Sequence, residues 1–138
     1  MKFYFAGAIR GGRDKIQTFI KINEVLKKYG QVLDEHVANP NVNVIEQNHS
    51  LSEIYNRDIR WIKACDMVVA EVSTASLGVG YECCYAEQLC IPVIVLCDKN
   101  VNISAMIGGN PYFDLIYYNN DEDLLEKLDC KIRSLKNK

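Results

Sequence analysis

The segment MVVAEVSTASLGVGYECCYAEQLCIPVIVLC, residues 67–97, decides the fold of this chain. It contains two nearly continuous apolar runs, residues 67–72 and 92–97. Runs of this kind are typical of parallel strands that are covered on both faces. Between them the pattern predicts a helix over residues 80–90. A strand, a helix and a second strand predict a right-handed crossover unit within a parallel sheet.

The rest of the sequence continues this alternation of strands and helices. Ser50 and Glu53 form a Ser-x-x-Glu capping box, which marks the start of a helix. The predicted elements outside residues 67–97 are strands over 2–6, 31–37 and 113–118, helices over 13–29, 50–64 and 121–135, and a polar loop over 38–49. We therefore expect a doubly wound α/β domain, a three-layer sandwich with a five-stranded parallel sheet.

Length and composition fit one globular domain over residues 1–138, with 49% hydrophobic and 25% charged residues. The formal net charge of -2 argues against binding to a nucleic-acid polymer. The apolar stretch at the N-terminus is too short for the core of a signal peptide, and no apolar run reaches the length that spans a membrane. We expect a cytoplasmic location, or a nuclear one in a eukaryote.

The six cysteines lack the paired two-residue spacing of a zinc site, and the two histidines are not spaced as metal ligands. Reduced thiols are therefore expected, and no metal is expected.

In a doubly wound sheet, ligands bind beyond the carboxyl ends of the strands. The loop that follows the first predicted strand reads GAIRGGR, residues 7–13. Its backbone amides, the start of the next helix and an arginine could together bind an anion such as phosphate. The alternative is a glycine turn with solvated arginines. The candidate binding residues of this loop are Gly7, Ile9, Arg10 and Gly11.

The loop that follows the third predicted strand repeats this arrangement. Ser76 supplies a hydroxyl, and Gly78 permits close approach of a ligand to the backbone. Glu82 is predicted in the first turn of the following helix, where the helix dipole favours an ionised carboxylate by roughly 0.3 to 1 kcal/mol. Such a carboxylate could act as a nucleophile on an electrophilic carbon. The alternative is an ordinary first-turn glutamate.

Asp58 interrupts the apolar stripe of the helix predicted over residues 50–64. A desolvated carboxyl has a raised pKa and can donate a proton as a general acid. The alternative is an ion pair with Arg57 or Arg60 at the edge of the core. Enzymes that cleave a glycosidic bond usually use two carboxyl groups in unlike surroundings.

Three further residues are candidates on weaker grounds. Tyr4, on the first strand, could direct its hydroxyl toward the strand ends or could simply pack in the core. Residues 103–110 predict a short helical turn ended by glycine, which would leave Ser104 and Met106 exposed near a site or a subunit contact.

Five segments, YFAGAIRGGR, EHVA, RDIRWI, VVAEVSTASLGVGYE and SAMI, occur here in an order and spacing that resemble the 2′-deoxynucleoside 5′-phosphate N-hydrolases of the nucleoside 2-deoxyribosyltransferase superfamily. The resemblance implies the same α/β fold. It also implies hydrolysis of deoxynucleoside monophosphates to a free base and 2-deoxyribose 5-phosphate, without a cofactor.

The resemblance implies a role for each matched residue. Glu82 matches the nucleophile that attacks C1′, and Asp58 matches the residue that assists departure of the base. Tyr4 matches the tyrosine that orients the nucleophile and disfavours a 2′-hydroxyl. The residues matched to phosphate contacts are Arg10, Ser76 and Ser104, the last donated by a neighbouring subunit, so a homodimer is implied.

Two positions depart from the family pattern. Ala8 stands where these hydrolases usually have serine, and Gly108 stands where they carry arginine. The losses could weaken binding of the phosphate. A nucleoside 2-deoxyribosyltransferase that exchanges bases is therefore the second hypothesis, and a nucleotide-binding module without catalysis is the third.

Overall fold

The computed structural model describes residues 1–9 and 15–138. Its centre is a parallel sheet of five strands in the order β2-β1-β3-β4-β5. The strands are β1 (Lys2–Ala6), β2 (Gln31–Val32), β3 (Met67–Glu71), β4 (Val93–Asp98) and β5 (Asp114–Tyr118). The sheet confirms the α/β prediction.

Six α-helices connect or flank these strands in the described part of the chain. They are α1 (Ile16–Lys27), α2 (Val42–Gln47), α3 (Leu51–Ala64), α4 (Leu77–Gln88), α5 (Ala105–Gly108) and α6 (Asp121–Lys136). A 3-10 helix, Glu35–Ala38, follows β2. None of these helices is both long and apolar enough to cross a bilayer.

The alternation of side chains along β1 separates the two cores of the molecule. Phe3 and Phe5 point to one face of the sheet, where they pack with the buried residues of α1 and α6. Tyr4 points to the opposite face, which is covered by α3 and α4. Because successive side chains of a strand alternate between faces, one strand serves both layers. The three-layer prediction is confirmed, and Tyr4 is directed toward the helices that carry Asp58 and Glu82.

The direction of winding reverses between β1 and β3, which are neighbours in the sheet. Tyr4 pairs with Val68 in their register. The loops that follow these two strands therefore emerge side by side at the carboxyl edge, where doubly wound proteins bind ligands.

Strand β2 is much shorter than predicted, and the expectation of a strand over residues 31–37 was wrong beyond Val32. The Asp34 carboxylate accepts a hydrogen bond from the Phe5 backbone N–H at 2.8 Å. This contact takes a donor that a continuing parallel strand would use, and the chain turns into the 3-10 helix. Within the loop predicted over residues 38–49, the chain instead forms α2.

Helix α4 begins three residues earlier than predicted. Ser76 is its N-cap, and the Ser76 Oγ accepts the Val79 backbone N–H at 3.3 Å. Glu82 therefore lies in the second turn, so the expected stabilisation by the first-turn dipole does not apply. Helix α3 has the predicted start, with both hydrogen bonds of the Ser50 and Glu53 capping box.

Candidate active site

Tyr4 and Glu82 form the centre of the candidate site. Tyr4 is buried at 2% exposure, and its hydroxyl donates a hydrogen bond to Glu82 Oε2. The bond joins strand β1 to the second turn of α4. The alternative in which Tyr4 only packs is therefore wrong, because its hydroxyl has a specific acceptor.

The pKa of Glu82 is raised to about 7. Burial is the main cause, since it disfavours the charged form. The hydrogen bond from Tyr4 opposes this shift, while the negative charge of Asp58 adds to it. Glu82 is thus a carboxyl group that exchanges its proton near neutral pH, a property often found at catalytic positions.

Asp58 is half-buried on α3 and is paired with its neighbour. Arg57 Nε donates to Asp58 Oδ1 at 2.9 Å, and Arg57 Nη2 lies 2.9 Å from the same oxygen. Burial raises the pKa of Asp58, and the bonds from Arg57 act in the opposite direction. Asp58 therefore shows both the desolvation that was expected and the ion pair with Arg57 that was the alternative.

The apolar stripe expected on α3 is not a buried face. Leu51 is 72% exposed and Tyr55 is 51% exposed, whereas Ile62 is fully buried. Only the C-terminal end of this stripe reaches the core.

The expectation for Glu82 was wrong, because burial raises its pKa, whereas the expected rise in the pKa of Asp58 is present. The sequence predicted a charged Glu82 and a nearly neutral Asp58. In the structure burial drives the pKa of Glu82 to about 7, while Arg57 opposes the corresponding shift at Asp58. Because the charge of Asp58 raises the pKa of Glu82, the two groups titrate as a coupled pair.

Asp34 is a third carboxyl group beside this pair, and the sequence did not indicate it. It is 1% exposed, and burial raises its pKa well above the usual range although the bond from the Phe5 N–H opposes this. Charges on Glu82 and Asp58 raise it further. Asp34 therefore holds its proton to a higher pH than an exposed aspartate does. No signal marked it, because it fell within a predicted strand.

A second group that the sequence did not indicate surrounds Arg57. Glu46, on α2, lies 2.9 Å from Arg57 Nη2 and 2.7 Å from His36 Nε2 through the same oxygen, Oε1. The Arg57 guanidinium also lies 5.0 Å from the centre of the Trp61 ring. An arginine that stacks on an aromatic ring and binds two carboxylates has little freedom to move.

The serines matched to phosphate contacts lie at helix N-termini. Ser76 caps α4, and Ser104 caps α5 by accepting the Met106 backbone N–H at 3.3 Å. Ser76, Ser104 and Met106 line one cavity of about 620 Å³ between α4 and α5. Tyr4, Asp58 and Glu82 do not line this cavity. The structure thus groups the predicted residues in two places joined by α4.

The glycine and loop candidates differ in what surrounds them. A Cβ at Gly7 would lie 2.8 Å from the Phe19 ring, so packing explains this glycine. At Gly78 the nearest atom to an added Cβ is Ser76 Oγ at 3.9 Å, which leaves the backbone open. Ile9 packs against the core. Arg10 and Gly11 lie outside the described residues.

Several large apolar side chains remain exposed around the site. Leu77 is 97% exposed, Met106 82%, Tyr81 52% and Tyr55 51%. The Tyr55 and Tyr81 hydroxyl oxygens lie 3.4 Å apart. These residues belong to α3, α4 and α5 and form one apolar surface of this chain.

No group of three or more His, Cys, Asp or Glu side chains within residues 1–9 and 15–138 is arranged to hold a metal ion. All six cysteines are free; Cys65, Cys83 and Cys97 are buried.

Comparison with known proteins connects this geometry to a family. The model of the family described as "Nucleoside 2-deoxyribosyltransferase" matches residues 3–125. A protein of Methanococcoides burtonii, named "Putative 2'-deoxynucleoside 5'-phosphate N-hydrolase 1", is 40% identical over 116 residues, which are 83% of this chain and 95% of that protein. The 5-hydroxymethyl-dUMP N-hydrolase of Rattus norvegicus is 39% identical over 110 residues, which are 77% and 68% of the two chains.

A solved structure shares the fold. The CMP N-glycosidase BcmB of Clostridium botulinum superposes with a TM-score of 0.67 at 22% identity, over 94% of this chain and 99% of that one. At this identity the likeness concerns the arrangement of strands and helices.

Proposed function

Because the chain belongs to the nucleoside 2-deoxyribosyltransferase family, we propose that it hydrolyses the N-glycosidic bond of 2′-deoxynucleoside 5′-monophosphates. The products are a free nucleobase and 2-deoxyribose 5-phosphate. The observation that carries the proposal is the Tyr4 hydroxyl on Glu82 beside Asp58, since two carboxyl groups of unlike protonation are what such a reaction needs. The names of two relatives describe N-hydrolases of deoxynucleotides.

The reactive form of the pair holds one proton, on Asp58, so that the ionised Glu82 acts as the nucleophile in the first step. Its other oxygen, Oε1, attacks C1′ while Oε2 is held by Tyr4. The bond from C1′ to the base nitrogen breaks, and its electron pair leaves with the base. Asp58 gives its proton to the base, so the base departs neutral. The result is a covalent deoxyribosyl ester on Glu82.

In the second step water replaces the enzyme at C1′. Asp58, now a carboxylate, takes one proton from the water as its oxygen attacks C1′. The ester bond breaks, and its electron pair returns to the Glu82 carboxylate. Both residues regain their starting protonation, and two displacements retain the configuration at C1′. Side chains and water supply every group that this scheme uses.

The 5′-phosphate is assigned to the N-terminus of α4. Ser76 caps this helix, whose free backbone N–H groups favour an anion. Glu82 follows six residues later, about 9 Å along the helix axis. The phosphate is therefore bound at a distance from the bond that breaks, and its binding energy can hold C1′ against Glu82. Arg10 is proposed to add a positive charge.

A homodimer completes the proposed site. The exposed side chains of Leu77, Met106, Tyr55 and Tyr81 are suited to packing against a second copy. Ser104 is exposed on α5, next to Met106 on the apolar surface. We assign Ser104 to the phosphate of the neighbouring protomer. The small anionic substrate fits a cytoplasmic enzyme, or a nuclear one in a eukaryote.

One assay tests the activity. Each deoxynucleoside monophosphate is incubated with the protein, with and without a second free base, and the products are separated by chromatography. Free base together with 2-deoxyribose 5-phosphate is the expected result. A new nucleoside or nucleotide formed only with the second base would instead indicate a deoxyribosyltransferase, and bound but unchanged nucleotide would indicate a binding module.

Two variants assign that activity to the site. Glu82→Gln keeps the size of the side chain and removes the nucleophile, so release of base should fall by at least about a thousandfold. Glu126→Gln, exposed on α6 in the opposite layer, should match wild type. Wild-type turnover by Glu82→Gln would refute the nucleophile assignment.

A further inference from the structure

Glu46 has contacts that the proposed mechanism does not use. It is 6% exposed, although it lies on the short helix α2, and its Oε1 is shared by His36 Nε2 and Arg57 Nη2. Its other oxygen, Oε2, is buried with no hydrogen-bond partner among the described residues. A buried carboxylate with one unpaired oxygen is costly and calls for a function.

Arg57 is the link between Glu46 and Asp58. The same Nη2 lies 2.9 Å from Glu46 Oε1 and 2.9 Å from Asp58 Oδ1. One positive charge is therefore divided between two carboxylates. With Glu46 absent, the whole charge would act on Asp58 and would hold it in the ionised form.

We propose that Glu46 is a positioning residue of the active site: by binding Arg57 and His36 it divides the Arg57 charge, so that Asp58 keeps the proton that the departing base takes. This inference rests on the proposed function for its consequence in catalysis. The contacts themselves do not depend on it. Glu46 acts through Arg57 and does not touch the reacting atoms.

The protonation states agree with this arrangement. Although burial opposes it, the bonds from Arg57 and His36 lower the pKa of Glu46, so Glu46 is an anion at neutral pH. Its negative charge raises the pKa of Asp58 and, more remotely, that of Glu82. Arg57 lowers the pKa of both Asp58 and Glu82.

Six described groups act on Asp58, and all of them except Glu46 and Arg57 stay in place in the proposed test. The described groups that interact electrostatically with Asp58 are Arg57 on its own helix, Glu46 on α2, His36 on the 3-10 helix, Asp34 after β2, Tyr4 on β1 and Glu82 on α4. Since only Glu46 and Arg57 are changed, a shift at Asp58 can be assigned to them.

The first measurement is direct titration of the Asp58 carboxyl by carbon-detected NMR, with Asp58→Asn used to assign the signal. In Glu46→Gln the carboxyl should titrate lower by about one pH unit, and in Arg57→Gln higher by a similar amount. Glu126→Gln should leave it unchanged. An unmoved signal in Glu46→Gln, or shifts of the same sign in both variants, would overturn the inference.

The second measurement is the pH profile of base release. Both limbs of the profile should move to lower pH in Glu46→Gln and to higher pH in Arg57→Gln, which a merely structural defect would not produce. If Glu46→Gln does not fold, the question is decided by Arg57→Gln and by the double variant, which removes both charges together. The Asp58 carboxyl should titrate at lower pH in the double variant than in Arg57→Gln. Absence of base release by wild type would refute the proposed function, while the NMR result would still stand.

Discussion

The Tyr4 hydroxyl donates a hydrogen bond to Glu82 Oε2, which joins strand β1 to helix α4. Tyr4 is buried on the sheet, so its position restricts that of the carboxylate. The bond also favours the ionised form of Glu82, because a donor stabilises negative charge. Orientation and charge of the proposed nucleophile therefore depend on one phenol group.

Removing that hydroxyl should affect both properties. In Tyr4→Phe the pKa of Glu82 loses a lowering influence and should rise by about one pH unit. The basic limb of the pH profile should follow it, and kcat should fall about 10- to 100-fold as orientation is lost. Tyr29→Phe is a matched control, since the Tyr29 hydroxyl donates to Asp129 on the other side of the sheet. Equal profiles for wild type and Tyr4→Phe would contradict the assignment.

Because the Asp58 and Glu82 carboxyl groups affect one another, we predict that the pH dependence of base release is reversed in Asp58→Asn. The wild-type reaction needs one proton on the pair, and that proton is lost as the pH rises through the pKa of Glu82, about 7. Activity should therefore fall above neutral pH. In Asp58→Asn no acid remains, so the residual activity needs only ionised Glu82 and should increase with pH.

The midpoint of that increase should lie below pH 7, because the charge of Asp58 raises the pKa of Glu82 in the wild type. Initial rates of base release between about pH 4 and pH 9 measure both profiles. Asp114→Asn, at the sheet edge, serves as the control. An Asp58→Asn profile that falls in parallel with the wild type would exclude Asp58 as the acid.

The fold was predictable because its signals are local. Apolar runs of parallel-strand length, and the capping box at Ser50, give the order of elements and the start of α3. The period of two along β1 then places Tyr4 on the face of α3 and α4, since Phe3 and Phe5 occupy the other face. The family likeness supplied Glu82 and Asp58 as partners of Tyr4.

The groups that tune these residues were not predictable from such patterns. Asp34 ends β2 because its side chain, and not a backbone carbonyl, accepts the hydrogen bond from the Phe5 N–H. No periodic sequence pattern indicates such a contact. Glu46 reaches Arg57 from eleven positions earlier in the chain. Its surroundings read as a polar loop, because a six-residue helix has too few turns to establish a periodic pattern.

Binding of the 5′-phosphate at the start of α4 can be tested without loss of the helix cap. Aspartate caps a helix about as well as serine, so Ser76→Asp should fold normally. Its negative charge should repel the phosphate and raise KM for a deoxynucleoside monophosphate by at least about tenfold. Ser50→Asp makes the same change at the N-cap of α3 and should match wild type.

The substrate can be changed as well as the enzyme. Without its 5′-phosphate, the deoxynucleoside should be turned over more slowly as well as bound more weakly, since the phosphate supplies energy for positioning C1′. Ser76→Asp should leave the activity on deoxynucleosides unchanged. Equal turnover of the two substrates by wild type, or equal losses on both in Ser76→Asp, would place the phosphate elsewhere.

The shared site predicts that two inactive variants restore one another. Ser104→Asp keeps the cap of α5 and should repel the phosphate held by the neighbouring protomer. When it is mixed with Glu82→Gln under conditions that allow exchange, half of the dimers contain both chains. Each mixed dimer has one site with intact Glu82 and intact Ser104, so about a quarter of the wild-type activity should return.

The restored activity should also depend on the apolar surface. Leu77 is 97% exposed in the chain, so Leu77→Asp should leave the folded protomer stable. Placed in both variants, it would put a charge in the proposed interface, and the mixture should then stay inactive and sediment as monomers. If Ser104 instead served its own protomer, mixing would give no more activity than the sum of the two variants. That result, obtained with dimers present, would contradict the shared site.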